Sequence, residues 1–279
     1  MPTVNEGDDI IDYGYTALLG LLQGITEFLP VSSSGHLVIA QHLFGMRDAS
    51  LFLDTILHLG TLAAVVAVFW SDLKELCAAV PLLWRWGPRR AWREHGNFRL
   101  LVWLAVGTLP AAVVGLVLAD FFEAAFGSVR AVGAALFFTA LVLFTAAWKR
   151  QRATPLFETR GWQALGVGLA QALAIMPGIS RSGMTIVVGQ HLGLARDAAA
   201  RLSFLLAIPA ILGAVLLQAI KLESVPAGFA PAAIVGFVTA AVSGYLSLRL
   251  LLRFVQKGRL HFFGVYCLLA GSFALFVGL

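Results

Sequence analysis

Six apolar runs along the chain are long enough to cross a hydrocarbon layer: 52–70, 100–118, 129–148, 202–220, 230–248 and 260–279. A bilayer core about 30 Å thick needs roughly 20 apolar residues in a helix. Two further apolar stretches, 14–44 and 162–193, read differently. Each is broken near its middle by a proline and a Gly/Ser cluster, Pro30 to Gly35 and Pro177 to Gly183. Irregular polar backbone is tolerated at membrane depth only where protein or a water-filled cavity surrounds it. Both stretches are therefore expected to be re-entrant helical hairpins, entering and leaving on one side.

The two hairpins resemble each other. Adding 148 to Gly20, Leu21, Gln23, Ser32, Ser34 and Gly35 gives Gly168, Leu169, Gln171, Ser180, Ser182 and Gly183. Adding 149 to Gln41, His42, Leu43, Arg47, Asp48 and Ala49 gives Gln190, His191, Leu192, Arg196, Asp197 and Ala198. Chance matches of apolar letters are cheap here, but matches of Gln, His, Arg and Asp are not, and they point to a duplication. The expected organisation is a polar tail (1–13), repeat 1 (14–148), a linker (149–161) and repeat 2 (162–279). Each repeat holds one hairpin and three spans. An odd number of crossings turns the second copy upside down. The expected fold is an all-α polytopic membrane protein: six transmembrane helices plus two re-entrant hairpins in two inverted-topology repeats.

Composition and charge sharpen this. Of 279 residues 59% are hydrophobic and 13% charged, with a mean hydropathy of +0.85. That is too few charges to cover a soluble domain. Fourteen of the 20 Lys and Arg residues fall in 71–99, 149–160 and 249–259, all on one side of the six-span arrangement. The other side holds the acidic N-terminus and the loops around Asp120, Glu123 and Glu223. The basic side is expected to be cytoplasmic and both termini outside. The net charge of +5 is then a topology signal and not a nucleic-acid footprint. No basic n-region precedes the first apolar stretch, so no cleavable signal is expected. Cys77 and Cys267 are isolated thiols with a structural reading.

The first hairpin tip reads Gln23-Gly-Ile-Thr-Glu27-Phe-Leu-Pro-Val-Ser32-Ser33-Ser34-Gly35-His36. Gln23 and Glu27 share a helical face. Pro30 ends the half-helix, and the serines open the next, whose free N–H groups and positive dipole end suit an anion. A carboxylate at membrane depth is costly unless it is paired, metal-bound or wet. The second tip, Pro177-Gly178-Ile179-Ser180-Arg181-Ser182-Gly183-Met184-Thr185, places a guanidinium fork among hydroxyls at a half-helix start. The plain alternatives are an ordinary N-cap after a proline break and an arginine that snorkels or pairs with Glu27 for structure. With the tips facing each other, Glu27, His36 and Arg181 would line one polar cavity, with Ser32, Ser33, Ser180, Ser182 and Thr185 around it.

These two motifs resemble the signatures of the bacterial undecaprenyl-diphosphate phosphatase family of the bacitracin-resistance type, and the resemblance covers nearly the whole chain. It implies hydrolysis of a C55 polyprenyl diphosphate to the monophosphate and phosphate, recycling a lipid carrier for cell-wall glycan synthesis. It also implies an outward-facing site in a bacterial cytoplasmic membrane and a divalent cation, Mg²⁺ or Ca²⁺. Family members often carry Glu at the position of Gln23. Here only Glu27 is acidic, and Gln23 offers a neutral carbonyl or a hydrogen bond. The expected partners are the polyprenyl diphosphate lipid and the bilayer, with a homodimer left open.

Phosphoryl transfer needs positioning and charge stabilisation. Arg181 and the half-helix N-termini are assigned to the phosphate oxygens, with Ser32, Ser34, Ser180, Ser182 and Thr185 beside them. Ser33 is the candidate nucleophile, with Ser32 an alternative. His36, one turn on, is the candidate general base or acid. Glu27 holds the metal or orients His36. Direct attack by water and a covalent intermediate on His36 stay open. His42 and His191 read as packing residues, Asp48 and Asp197 as N-caps. For Asp54 and His58, four apart near the start of the first span, a place along the lipid's route is left open as an alternative. The tryptophans around 71–99 read as interfacial residues. The rival function is a polyprenyl-phosphate flippase or an anion transporter, since inverted repeats with broken helices also build transporters.

Overall fold

The computed structural model describes residues 13–44, 51–146, 153–221 and 230–278. Residues 1–12 of the expected tail, the Arg47-Asp48-Ala49 turn, residues 149–152 of the basic linker and the loop around Glu223 lie outside these residues. Within them the chain is all helical, with α1 (Tyr13–Phe28), α2 (Ser33–Phe44), α3 (Leu51–Val68), α4 (Trp70–Ala79), α5 (Leu82–Glu94), α6 (Gly96–Val117), α7 (Ala119–Phe126) and α8 (Val129–Thr145). A short 3-10 turn, Leu156–Glu158, leads to α9 (Gly161–Leu173), α10 (Arg181–His191), α11 (Arg196–Lys221), α12 (Ala230–Gln256) and α13 (His261–Val277). By length and composition, 96–117, 196–220 and 231–256 can each cross a membrane. The count rises to five if the bent pairs α3/α4 (78°) and α7/α8 (102°) each make one span. Helix α13 is apolar but shorter, at 17 residues.

Both expected helix breaks are present, at 29–32 between α1 and α2 and at 174–180 between α9 and α10. Elsewhere the boundaries differ from the sequence reading for identifiable reasons. The basic segment 71–99 is not a loop but two helices, α4 and α5. Helix α5 kinks at Gly87 (φ 73°) before Pro88. Its Leu, Trp and Arg positions alternate too quickly to register as a span, yet they fit a helix with one apolar face. Helix α12 runs on to Gln256 and so carries Arg249 and Arg253, where a loop was expected. Helix α11 begins at Arg196, so Asp197 sits inside its first turn and not at the cap. There it faces Arg201 at 3.6 Å. Long aliphatic stems let basic residues continue a helix past the apolar layer.

Packing follows a reciprocal pattern. Helix α1 packs on α12 and α9 packs on α6, while α3 meets α11 and α8 meets α13. Small residues carry the first two contacts. Gly20 and Gly24 of α1 lie against Gly236, Ala240, Ser243 and Gly244 of α12, where Ser247 Oγ donates to the Gly24 carbonyl at 2.7 Å. Gly168 of α9 lies directly on the backbone of Gly107 in α6. Close backbone approach of this kind substitutes for a hydrophobic driving force between membrane helices. Large buried side chains fill the centre: Phe28 stacks edge-on to Phe204 (5.8 Å), which lies flat against Phe69 (5.7 Å). Asp72 of α4 pairs with Arg201 of α11, tying α4 back to the bundle.

A methyl group at Gly24 would meet the Ala240 carbonyl oxygen at 2.6 Å, and one at Gly168 would collide with Gly107. Gly24→Ala and Gly168→Ala should each destabilise the protein by about 1–3 kcal/mol. Gly213→Ala, in open space within α11, should stabilise by about 0.5–1 kcal/mol. Unfolding of the three variants in one detergent checks both signs.

Candidate functional site

The first break forms because Pro30 cannot donate a helical hydrogen bond and the chain must then reverse quickly. Ser32 takes up the reversal with φ at 69°, the single non-glycine residue with positive φ among the described residues. Such a conformation is costly for an L-residue and persists only where its surroundings hold it. The holding groups are visible. Ser32 Oγ accepts from the backbone N–H of Gly35 at 3.3 Å and from that of Gly178, in the other break, at 3.1 Å. In the second break Gly178 has φ 93°. Thr139 of α8 donates through Oγ1 to the Gly178 carbonyl (2.9 Å) and accepts from the Ser180 N–H (3.1 Å). Ser180 Oγ caps α10 by accepting from Gly183 N–H at 3.1 Å. Polar backbone that leaves the helical ladder inside the protein is satisfied in this way by side chains.

The breaks press together. A carbon on Gly35 would lie 3.1 Å from the Gly178 Cα, and one on Gly183 would lie 3.3 Å from Pro30. At this junction Arg181 Nη2 donates to Glu27 Oε1 at 2.6 Å, an ion pair whose side chains are 15% and 7% exposed. The other carboxylate oxygen, Oε2, accepts from Gln23 Nε2 (3.1 Å) and from Ser33 Oγ (2.7 Å). The second terminal nitrogen of Arg181, Nη1, is buried with no hydrogen-bond partner among the described residues. A buried donor without an acceptor costs free energy comparable to a lost hydrogen bond. Beside these groups lies a cavity of about 240 Å³ whose lining includes Glu27, Ser33, Ser34, His58, Ser180 and Arg181.

The remaining expected site residues separate into two groups. Ser32 also borders this cavity, but its hydroxyl is committed to backbone N–H groups. Ser182 and Thr185 are almost wholly buried and do not line the cavity. Thr185 Oγ1 sits 2.5 Å from Ser203 Oγ and donates to the Arg181 carbonyl at 2.7 Å, so it braces the first turn of α10. His36 departs furthest from its expected place. Its Nδ1 lies 2.8 Å from the Ser32 carbonyl and its Nε2 2.6 Å from the Tyr266 hydroxyl, with the two rings stacked at 5.6 Å. Counting one helical turn from Ser33 placed His36 nearby. The ring, however, follows the outer face of α2 toward α13, and Ser33 turns instead to Glu27.

Glu27 is the one carboxylate in the cavity's lining, and both its oxygens already bond protein donors. No group of three His, Cys, Asp or Glu side chains that could hold a metal gathers among the described residues. The donor set therefore does not fit an ion held by the chain alone.

Thr139 and Tyr266 carried no signal in the sequence. Both lie in apolar runs that contain no motif. Asp54 and His58 did carry one, as an i,i+4 polar pair inside the apolar span of α3, and the structure puts His58 at the cavity's edge.

By fold and site the molecule is a multi-pass helical membrane protein with a cation, a carboxylate and hydroxyls enclosed where two helix breaks meet. The model of the bacitracin resistance protein BacA family matches residues 16–273. The undecaprenyl-diphosphatase of Desulfosudis oleivorans is 44% identical over 269 residues, covering 94% of this chain and 97% of that protein. The undecaprenyl-diphosphatases of Desulforapulum autotrophicum and Thermomicrobium roseum are 40% and 41% identical, each covering 94% of this chain and 96% of their own length. The chain belongs to the BacA family.

Thr139→Val removes the hydroxyl that serves both Gly178 and Ser180 while keeping the side chain's volume. It should destabilise the protein by about 1–3 kcal/mol, the penalty for stranding buried backbone groups. Thr139→Ser should stay within about 1 kcal/mol of the parent. Thermal unfolding in detergent compares the two.

Proposed function

We propose that the protein hydrolyses undecaprenyl diphosphate to the monophosphate and inorganic phosphate within the membrane, using the cavity between the two breaks. One observation carries this reading: Arg181, Glu27 and Ser33 form a single hydrogen-bonded chain at the cavity wall, with Arg181 Nη1 buried and unpartnered. Membership of a family whose relatives are named for this reaction supplies the substrate.

The terminal phosphate enters against Arg181. Nη1 takes one of its oxygens while Nη2 stays on Glu27, so the guanidinium fork is filled without moving the ion pair. The N-termini of α2 and α10 add backbone N–H groups and their positive dipole ends. Ser33 then attacks phosphorus. Its Oγ–P bond forms, the bridging P–O bond breaks, and the electron pair leaves with the undecaprenyl monophosphate. Ser33's proton passes to Glu27 Oε2, along the hydrogen bond already in place at 2.7 Å. Arg181 offsets the charge that builds on the equatorial oxygens, the part of phosphoryl transfer that depends most on the protein.

A divalent cation, expected from the resemblance, would be carried chiefly by the diphosphate's own oxygens. Glu27 offers one carboxylate that is already engaged, and magnesium is commonly bound by one or two carboxylates together with substrate phosphates.

The reciprocal packing of α1 on α12 and α9 on α6 supports two inverted halves, 14–148 and 162–279. In that arrangement α1/α2 and α9/α10 are re-entrant hairpins entering from opposite faces. The basic α4–α5 segment and the end of α12 lie on the cytoplasmic side, and the cavity opens outward.

Phosphate release from undecaprenyl diphosphate by the purified protein in detergent tests the reading. The parent should turn over, Arg181→Ala should lose roughly 10²-fold or more in rate, and Ser33→Ala should fall to a similar or lower level. Full activity in a folded Arg181→Ala protein would defeat the proposal.

A further inference from the structure

The reaction above leaves a phosphoryl group on Ser33, and a water must then remove it. Glu27, having received the serine's proton and paired with Arg181, is a poor base for that water. His36 cannot serve from its place in the structure, because both its ring nitrogens are engaged on the far side of α2. A different histidine borders the nucleophile.

His58 projects from α3 with its Nδ1 2.8 Å from the backbone carbonyl of Asp54, one turn earlier. A carbonyl oxygen can only accept, so Nδ1 carries the proton and, in the neutral ring, Nε2 carries the lone pair. The backbone of α3 thus fixes the tautomer that a general base requires. The side chain lines two adjoining spaces. One is the 240 Å³ cavity that holds Glu27, Ser33 and Arg181. The other is a small space of about 10 Å³ with a largely apolar wall, from Leu19, Leu22, Leu37 and Leu57, into which Gln23, Thr26, Ser33, Asp54 and His58 also bring polar side chains. That is about the room one water occupies, and such a space holds water when two to four polar groups face it. Thr26, Ser33 and His58 are the polar residues that line both the small space and the large cavity, so a water in the small space has both the nucleophile and the imidazole among its neighbouring residues.

We propose that His58 is the general base for hydrolysis of phosphorylated Ser33, acting on a water seated among Gln23, Asp54 and Ser33. The inference rests on the Ser33 reading above. Water's oxygen bonds to phosphorus while its proton goes to Nε2 of His58. The P–Oγ bond breaks, and Ser33 Oγ recovers a proton from Glu27 Oε2. Inorganic phosphate leaves, and His58 returns its proton to solvent through the larger cavity. Gln23, a neutral amide, would orient this water without competing for its proton.

The test is rapid-quench kinetics on the purified full-length protein in detergent with undecaprenyl diphosphate labelled in its terminal phosphate. His58→Ala and the closer-sized His58→Gln should each release a burst of about one undecaprenyl monophosphate per protein molecule. Label should stay on Ser33, and steady-state turnover should fall roughly 10²-fold. The burst itself shows that the variants are folded. Parent-like turnover without accumulated label would overturn the assignment of His58. Loss of burst and turnover together, in a variant that unfolds at the parent's temperature, would also overturn it by placing His58 before the first chemical step. Failure of the Ser33 reading looks different: the parent and both variants would carry no label on Ser33 at any quench time, and Ser33→Ala would still turn over.

Discussion

A guanidinium and a carboxylate from residues 154 positions apart meet inside an apolar bundle, and the arrangement of the site depends on that meeting. Taking two ions out of water costs several kcal/mol each, and their attraction repays this only where geometry and further hydrogen bonds are good. Here Arg181 reaches Glu27 at 2.6 Å, and Gln23 and Ser33 satisfy the second carboxylate oxygen. Removing either partner would leave a buried charge uncompensated. The pair therefore fixes how the break after α1 must face the break after α9, and it makes Ser33 point at Glu27.

The rest of the fold supplies what the pair requires. Proline and a left-handed Ser32 stop α1 just after Glu27, its penultimate residue, and Gly178 turns the chain in the same way after α9. Ser32 and Thr139 absorb the backbone groups that the breaks release. Glycines on α1 and α9 let these short helices sit deep against α12 and α6, which sets how far the tips reach. A single space then holds a cation, a carboxylate, a hydroxyl and two helix N-termini, the combination that a transferring phosphoryl group calls for.

Much of this was legible from residue order alone. Pro30 and Pro177 marked both breaks, and Glu27 and Arg181 were conspicuous because an isolated charge in an apolar stretch demands a partner. What stayed hidden were features set by three-dimensional direction. Spacing could put His36 one turn from Ser33, but not show that its ring leaves the cavity for Tyr266. Ser182 and Thr185 looked like phosphate ligands because they follow Arg181, whereas the helix turns both hydroxyls inward, Thr185 onto Ser203. Thr139 holds the second break from the middle of an apolar helix, where no local pattern distinguishes it. The helices α4 and α5 were hidden by their charge, which reads as loop when only apolar runs are counted.

A double-mutant cycle on phosphate release, using Glu27→Gln, Arg181→Lys and the pair together, tests the central interaction most directly. If the two residues act as one unit, the double variant should be no slower than the slower single variant, within about threefold, because the second change has nothing left to disrupt. Rate losses that multiply independently, in variants that remain folded, would contradict the account.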